Sequence, residues 1–279
     1  MRIGVTGARG FTGAPVFAAL TQAGHTPLAI GADITDAAAL DREIAGMRPD
    51  AVLHLAANAF VASDDIAGFY TVNQVGAFNL LASLARHCPG CRVLLASSAQ
   101  VYGQDASGIV TEDHPTRPAN HYALSKLAME IGADFWRDTL SIIVARPFNY
   151  TGVGQQNRYL IPKIVDHFRQ RKPVIELGNI DVERDFGDVR AVADAYVGLI
   201  EADVTGPVNV ATGQAHSVRE VIAIARDITG HDPRIEVNPA FVRTNDVQRL
   251  VGSNERLRTI VPDWTPPPLE RTIAWMLKA

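Results

Sequence analysis

Met1-Arg-Ile-Gly-Val-Thr6, followed by Gly7-Ala-Arg-Gly10-Phe-Thr-Gly13, is the stretch whose reading decides the fold. A short apolar run enters three glycines spaced by three, and an apolar run to about Ala23 follows. That order predicts a strand, a tight turn and a helix. Glycines at 7, 10 and 13 allow the turn, close approach of backbone to a pyrophosphate, and tight packing of helix on strand. The helix start offers unpaired N–H groups to phosphate. A glycine triplet alone is a weak signal, and its place between a strand and a helix gives it weight.

Working outward, Thr26 to Ile30 reads as a second strand. An acidic residue near its end would grip the adenosine ribose of NAD. None stands at Ile30-Gly31, and the next acid is Asp33, in Asp33-Ile34-Thr-Asp36. Asp33 suits the ribose, the adenine amino group, or a cap for a helix from Asp36 to Gly46. Arg9 suits an NADP 2′-phosphate or solvent. Asp50 to Ala56 is a third strand, ending in Ala57-Asn-Ala59, small residues where a nucleotide can pass. A helix from about Asp65 to His87 carries Asn73-Gln-Val-Gly76. Val93 to Ser98 is a buried strand ending in hydroxyls, and Ser141 to Asn149 is another. Strand and helix alternate at βαβ spacing, which predicts a doubly wound parallel sheet with right-handed crossovers. In such sheets ligands lie beyond the carboxyl ends of the strands. Gly7–Gly13, Ala56-Ala57, Ser97-Ser98 and Pro147–Asn149 all fall there, converging on one crevice.

Ala119-Asn-His-Tyr-Ala-Leu-Ser-Lys126 reads as a helix, with Leu127 and Ile131 as apolar residues at helical spacing. Tyr122 and Lys126 then lie one turn apart on one face. A free tyrosine has a pKa of about 10. A nearby ammonium favours the phenolate. A drop of ~3 units takes ~4 kcal/mol, which a lysine and a cationic nicotinamide can supply together in a dry site. The pair is a candidate general acid/base for a carbonyl or alcohol. Taken alone, Tyr-x3-Lys equally describes a surface tyrosine beside a lysine.

Composition narrows the function classes. The chain has 279 residues, 47% hydrophobic and 20% charged, with a net charge of −4. This fits a soluble globular protein and argues against a nucleic-acid or anionic-membrane surface. The strand pattern begins at Met1, so no signal peptide is expected, and no apolar run approaches the ~20 residues of a membrane span. A cytoplasmic protein is expected. The two cysteines form Cys88-Pro-Gly-Cys91. No second cysteine pair or suitably spaced histidine pair completes a zinc site, and the motif closes a helix rather than opening one. A Pro-Gly helix stop is the expected role, and no metal is expected.

Thr6-Gly-Ala-Arg-Gly-Phe-Thr-Gly13, His54-Leu-Ala-Ala57, Asn73-x2-Gly76, Ser97-Ser-Ala-Gln-Val-Tyr-Gly103, Tyr122-x3-Lys126 and Arg146-Pro-Phe-Asn149 together carry a resemblance over nearly the whole chain. The sequence resembles the extended short-chain dehydrogenase/reductases, the nucleotide-sugar epimerase/dehydratase group. Three positions depart from the family's habit: Arg9 stands for a small polar residue, His121 for a proline and Ala77 for a threonine. The resemblance implies Ser98, Tyr122 and Lys126 as the catalytic set. Tyr122 exchanges the proton, Ser98 hydrogen-bonds the substrate oxygen, and Lys126 also holds the nicotinamide ribose. The candidate contacts for NADPH or NADH are Gly7, Arg9, Gly10, Phe11, Thr12 and Gly13, then Asp33, Ile34, Leu55, Ala56, Ala57, Asn73, Ser97 and Pro147, with Tyr122 and Lys126.

The resemblance extends to the substrate. Val182-Glu-Arg-Asp-Phe-Gly-Asp-Val189 resembles the segment whose arginine contacts a sugar-nucleotide diphosphate, which assigns that role to Arg184. Val242-Arg-Thr-Asn-Asp-Val247 resembles the second such segment, at Arg243, and Asn149 matches a substrate-contacting position. Two arginines suit a diphosphate through forked, charge-assisted hydrogen bonds. Leu177-Gly-Asn-Ile-Asp181 with Arg184-Asp-Phe186 looks most like members that reduce GDP-4-keto-6-deoxymannose. The expected layout is a Rossmann domain from 1–147 plus 187–209, with a smaller C-terminal substrate lobe from 148–186 plus 210–279. Helices 65–87 and 121–138 are apolar enough to suggest a homodimer. A reductase of a nucleotide-linked 4-keto-6-deoxy sugar is the leading reading. A C4 epimerase with retained NAD is the alternative, and a non-catalytic dinucleotide sensor is a third. A 4,6-dehydratase is not expected. Ala99 and Gln100 stand where dehydratases carry an Asp-Glu pair, and neither exchanges protons.

Overall fold

The computed structural model describes residues 1–61, 64–104, 106–241 and 247–279. Six strands form one parallel sheet: β1 (Arg2–Thr6), β2 (Thr26–Ala29), β3 (Ala51–His54), β4 (Arg92–Ala96), β5 (Ser141–Pro147) and β6 (Gly206–Val210). Their order is β6-β5-β4-β3-β1-β2, and every neighbouring pair is parallel. Helices α1 (Gly13–Gln22), α2 (Ala37–Met47), α4 (His121–Ala133) and α5 (Val189–Glu201) flank it. Helix α3 joins Ile66–Tyr70 to Ala77–His87 through a π-helical stretch, Thr71–Gly76.

Side-chain alternation explains the two covered faces. Leu53, Leu94 and Ile143 point to one side and pack with Val16 and Leu20 of α1 and Val192, Tyr196 and Ile200 of α5. Val52, Val93, Leu95, Ile142 and Val144 point to the other, against Leu40 and Ile44 of α2, Leu80 and Leu84 of α3, and Met129 of α4. Burying one such side chain fully contributes about 1.5–3 kcal/mol. The strand order reverses direction between β1 and β3, and in sheets of this kind ligands lie beyond the carboxyl ends of the strands at that switch point.

The remaining chain builds smaller sheets. Gly108–Val110, Arg249–Gly252, Glu183–Arg184 and His216–Ser217 form a four-stranded mixed sheet. Asn149–Thr151 pairs with Phe186–Asp188, and Val174–Leu177 with Arg234–Val237. Helices Leu160–Arg169, Val218–Thr229 and Leu269–Lys278 close over Ile164, Phe168, Val221 and Ile273. Val218–Thr229 starts on a capping box, Ser217 with Glu220, and ends on left-handed Gly230.

Two local expectations are corrected. The Tyr122 helix stops at Ala133 and passes into a 3-10 turn, Asp134–Trp136, short of residue 138. Its apolar spacing also misleads, because Ile131 is 61% exposed while Ser125, Lys126 and Glu130 are buried beside Met129. The buried side is mixed: Met129 and Ala133 pack on the apolar core, and hydrogen bonds hold Ser125, Lys126 and Glu130 among them. The cysteine pair behaves as a helix stop: the Cys88 N–H bonds the Leu84 carbonyl, Gly90 is left-handed, and both thiols are free. Among the described residues no helix is long and apolar enough to cross a membrane.

Candidate active site

Glycine is required at two points of the β1–α1 turn. Gly7 has φ +68°, and a Cβ there would sit 2.7 Å from the Ala56 nitrogen. A Cβ on Gly13 would lie 2.2 Å from the Ala8 carbonyl oxygen. The turn is thus pressed against the end of β3, leaving a backbone cradle at the start of α1 that suits a pyrophosphate.

Thr6 fixes the wall of that cradle. Its Oγ1 accepts from the N–H groups of Leu55 and Ala56, both at 3.1 Å. With its lone pairs used, its proton goes to His54 Nδ1 at 2.8 Å, so Nε2 carries the imidazole hydrogen. That Nε2 is the one buried side-chain polar atom among the described residues with no partner. Burial, aided by the nearby Lys126 charge, pulls the His54 pKa down to about 3 and keeps the ring neutral.

Ser98, Tyr122 and Lys126 come together beyond β4. Ser98 is extended and caps the turn Ala99–Tyr102, its Oγ accepting from the Gln100 N–H. Asn120 caps α4 by accepting from the Ala123 N–H, and its own amide donates to Gln100 Oε1. Gln100, at the second dehydratase-type position, therefore aligns the start of the Tyr122 helix. Tyr122 is buried, edge-on to Phe69, and has Ser98 near its phenol. Burial pushes its phenol well above 10, opposed by Ser98 and reinforced by Tyr150 and Tyr159. In the protein alone desolvation dominates the phenol; the expected lowering belongs to the site with a cationic nicotinamide bound. Burial likewise brings Lys126 down to about 8, against the opposing charge of Glu130. The Lys126 Nζ donates to the Ala96 carbonyl at 2.7 Å.

The other predicted positions divide. Asn73, buried in the π-helical stretch of α3, accepts from the Asn58 N–H and donates to the Asn58 carbonyl and to Ser125 Oγ. It thereby shapes the loop after β3. Asp33 does not cap α2, a task done by Asp36. The N–H of Thr35, then its hydroxyl, hold the Asp33 carboxyl below the usual range. Ile34 is buried under α3, and Arg9 is exposed. Ser97 donates to Glu130, and Pro147 ends β5. Asn149 is exposed on its short strand. Arg184 is half-buried, donating to the carbonyls of Glu183 and Val247 at 2.8 and 2.6 Å. Arg243 lies outside the described residues.

Sequence reasoning missed three contributors. Tyr150 reaches from the smaller lobe to the glycine turn, bonding Thr12 Oγ1 at 2.9 Å and stacking on Phe11 with ring centroids 5.9 Å apart. Tyr159 stands close enough to bear on the Tyr122 phenol. Glu130, one turn past Lys126, is buried and paired with Arg146 at 2.6 Å. Only Glu130 carried a usable signal: an acid four residues after the lysine, with Arg146 in a later strand. Among the described residues no group of His, Cys, Asp and Glu could hold a metal ion.

A glycine cradle at the switch point, next to a buried Ser–Tyr–Lys set, defines the class of dinucleotide-dependent oxidoreductases. Comparison with known proteins agrees. A family model described as GDP-mannose 4,6 dehydratase matches residues 27–268. The GDP-6-deoxy-D-mannose reductase of Pseudomonas aeruginosa is 36% identical over 100% of this chain and 95% of its own length. The structure of RMD from that organism, complexed with NADPH, is 32% identical, covers 99% of this chain and 97% of its own, and has a TM-score of 0.89. The GDP-6-deoxy-D-talose 4-dehydrogenase of Aggregatibacter actinomycetemcomitans is 33% identical over 94% of this chain and 91% of its own. A structure from Burkholderia cenocepacia J2315, provisionally designated an epimerase, is 43% identical, covers 99% of this chain and 97% of its own, and has a TM-score of 0.94. The chain belongs to the extended short-chain dehydrogenase/reductases, the NAD-dependent epimerase/dehydratase family.

Proposed function

We propose that this protein is an NAD(P)H-dependent reductase of a nucleotide-linked 4-keto-6-deoxy sugar, resembling GDP-4-keto-6-deoxymannose, with Tyr122 as the proton donor. The observation that carries the reading is the buried Tyr122 with Ser98 beside its phenol and Lys126 one turn along the same helix. The identities of the Pseudomonas and Aggregatibacter relatives support the substrate class. In this reading residues 1–147 plus 187–209 bind the dinucleotide, and 148–186 plus 210–279 bind the nucleotide sugar.

The residues fit a dinucleotide, since Gly7 and Gly13 let the turn fold tightly on itself and on the end of β3, and no side chain caps the start of α1, whose N–H groups stay available to a phosphate. The bound dinucleotide supplies a hydride to C4. Ser98 and Tyr122 hold the C4 oxygen between two hydroxyls, and the Tyr122 phenol passes its proton to that oxygen as charge develops. The Lys126 ammonium offsets the resulting phenolate. Arg184 and Arg243 grip the diphosphate, and Asn149 contacts the sugar. The contacts assigned to Gly7, Arg9, Gly10, Phe11, Thr12, Gly13, Asp33, Ile34, Leu55, Ala56, Ala57, Asn73, Ser97 and Pro147 line the dinucleotide path. Dehydration is not part of the reading, because Ala99 has no acid/base group and Gln100 is spent on Asn120.

The test is incubation with GDP-4-keto-6-deoxymannose and NADPH or NADH, followed by absorbance and product analysis. Stoichiometric cofactor consumption supports the reductase. Sugar interconversion without net consumption supports a C4 epimerase instead, a reading favoured by the designation of the Burkholderia relative. A Tyr122→Phe protein with full biological output supports a non-catalytic sensor. Ile66, Val75, Leu124, Ile131 and Phe135, exposed on or just after α3 and α4, support a homodimer through those helices, which sedimentation would detect. The charged metabolites involved do not cross membranes, which favours a cytoplasmic site of action.

A further inference from the structure

We propose that Glu130 is a positioning residue for this reaction: it pins Ser97 beside the catalytic hydroxyl and stands as the negative charge one helical turn from Lys126. The inference rests on the proposed function, and goes beyond it by assigning a role to a buried carboxylate that touches no substrate.

Lys126 and Glu130 are four residues apart on α4, so they share a face and both point at the end of β4. There they hold consecutive residues. The Lys126 Nζ bonds the Ala96 carbonyl at 2.7 Å, and Ser97 Oγ donates to Glu130 Oε1. Ser98 is the next residue, so its hydroxyl is placed by two side chains of the helix that carries Tyr122. Glu130 is itself fixed. Arg146 of β5 donates to Glu130 Oε2 through Nη2 at 2.6 Å and reaches both carboxylate oxygens through Nε at 3.2 Å. The Arg146 Nη1 donates to Tyr102 Oη at 3.0 Å, and Tyr102 donates to Asn209 of β6 at 2.7 Å. Asn209 in turn donates to the Val110 carbonyl, in the strand that pairs with Arg249–Gly252 of the mixed sheet. One bonded chain therefore ties α4 to β4, β5, β6 and the smaller sheet.

Glu130 is also the negative charge that faces Lys126. Among the described residues, Glu130 of α4 is the charge that bears on Lys126, with Arg146 of β5 paired behind it. The Lys126 charge in turn bears on His54 of β3, which stays neutral, and the Lys126 Nζ bonds the Ala96 carbonyl of β4. Burial alone discharges an ammonium, and Glu130 opposes that.

The chain holds four lysines, at 126, 163, 172 and 278, so isotope-labelled lysine gives four assignable NMR signals, with Lys126→Met locating the buried one. In Glu130→Gln the Lys126 titration should fall by at least half a pH unit. The basic limb of kcat should fall with it, because the active form needs the ammonium. Since that variant strands Arg146, Glu130→Gln/Arg146→Met is the companion that removes the stranded guanidinium and leaves Lys126 as the one charge tested. Ser97→Ala should lower kcat several-fold without moving the Lys126 titration. Glu130→Asp, which keeps the charge, should retain the titration. An unmoved titration in both Gln-bearing variants, or a kcat in Ser97→Ala equal to wild type, would overturn the proposal. The NMR arm needs no substrate, so a wrong substrate assignment shows itself separately, as absent turnover with the titration shift intact.

Discussion

The floor of the cleft and its far wall are held in opposite ways. On the floor, Ser97, Lys126, Glu130, Arg146, Tyr102 and Asn209 are all buried and bonded to one another or to backbone. They stand on, or directly after, strands of five to seven residues, on a helix of thirteen, and at the end of the 3-10 turn Ala99–Tyr102. On the wall, Asn149 is exposed on a three-residue strand, and Arg184 sits on a two-residue strand. Proton transfer requires fixed geometry, because small displacements of reacting groups cost large factors in rate. In the proposed reading the wall grips a diphosphate, a task that tolerates more adjustment than proton transfer does.

The sharpest break of this contrast is on the floor. Tyr122→Phe should lower kcat by roughly 10²–10⁴-fold, the usual worth of a positioned proton donor, and change KM far less. A variant retaining a tenth of wild-type kcat would refute the assignment. Gly7→Ala forces a Cβ against Ala56 in a left-handed conformation. It should raise the dinucleotide Kd more than tenfold by fluorescence titration and cost about 1–3 kcal/mol of stability.

Lys126 supplies a pH-dependent test of the same floor. Its folded pKa of about 8 lies below the usual lysine value, so the unfolded chain binds more protons between the two. The charge burden is therefore fully present below pH 8 and lifts as pH rises toward the unfolded value. Lys126→Met should be the more stable protein at pH 7, by up to about 3 kcal/mol, and lose that lead by pH 10. Parallel melting curves at both pH values that keep a constant difference would contradict this. On the wall the effects should be smaller. Arg184→Ala should raise KM for the nucleotide sugar about tenfold, as expected for one lost charge-assisted contact, and leave kcat within twofold. Equal kcat losses for Arg184→Ala and Tyr122→Phe would erase the distinction between wall and floor.

Much of this was readable in one dimension. The glycine spacing, the alternation of apolar strands with helices, and Tyr122 with Lys126 four residues on are local patterns, and local geometry governs them: side chains alternate along a strand and recur each helical turn. Those periods place the strand ends, hence the crevice, hence the catalytic candidates. Other features depend on partners far along the chain. Ile131 obeys the helical period yet faces outward, while charged Glu130 faces inward because Arg146, sixteen residues away, meets it there. Tyr150 finds Thr12 across 138 positions, and Thr6 finds His54 across 48. The environment of the Tyr122 phenol is set in the same way: the sequence shows the lysine one turn away, but the burial that raises the phenol's pKa, and the Tyr150 and Tyr159 that add to it, come from elements brought together in space. Spacing along the chain governs what a residue's own turn or strand presents. Whether a polar group there is satisfied, neutralised or stranded depends on desolvation and on distant partners, and those exist only once the sheet and its helices have packed.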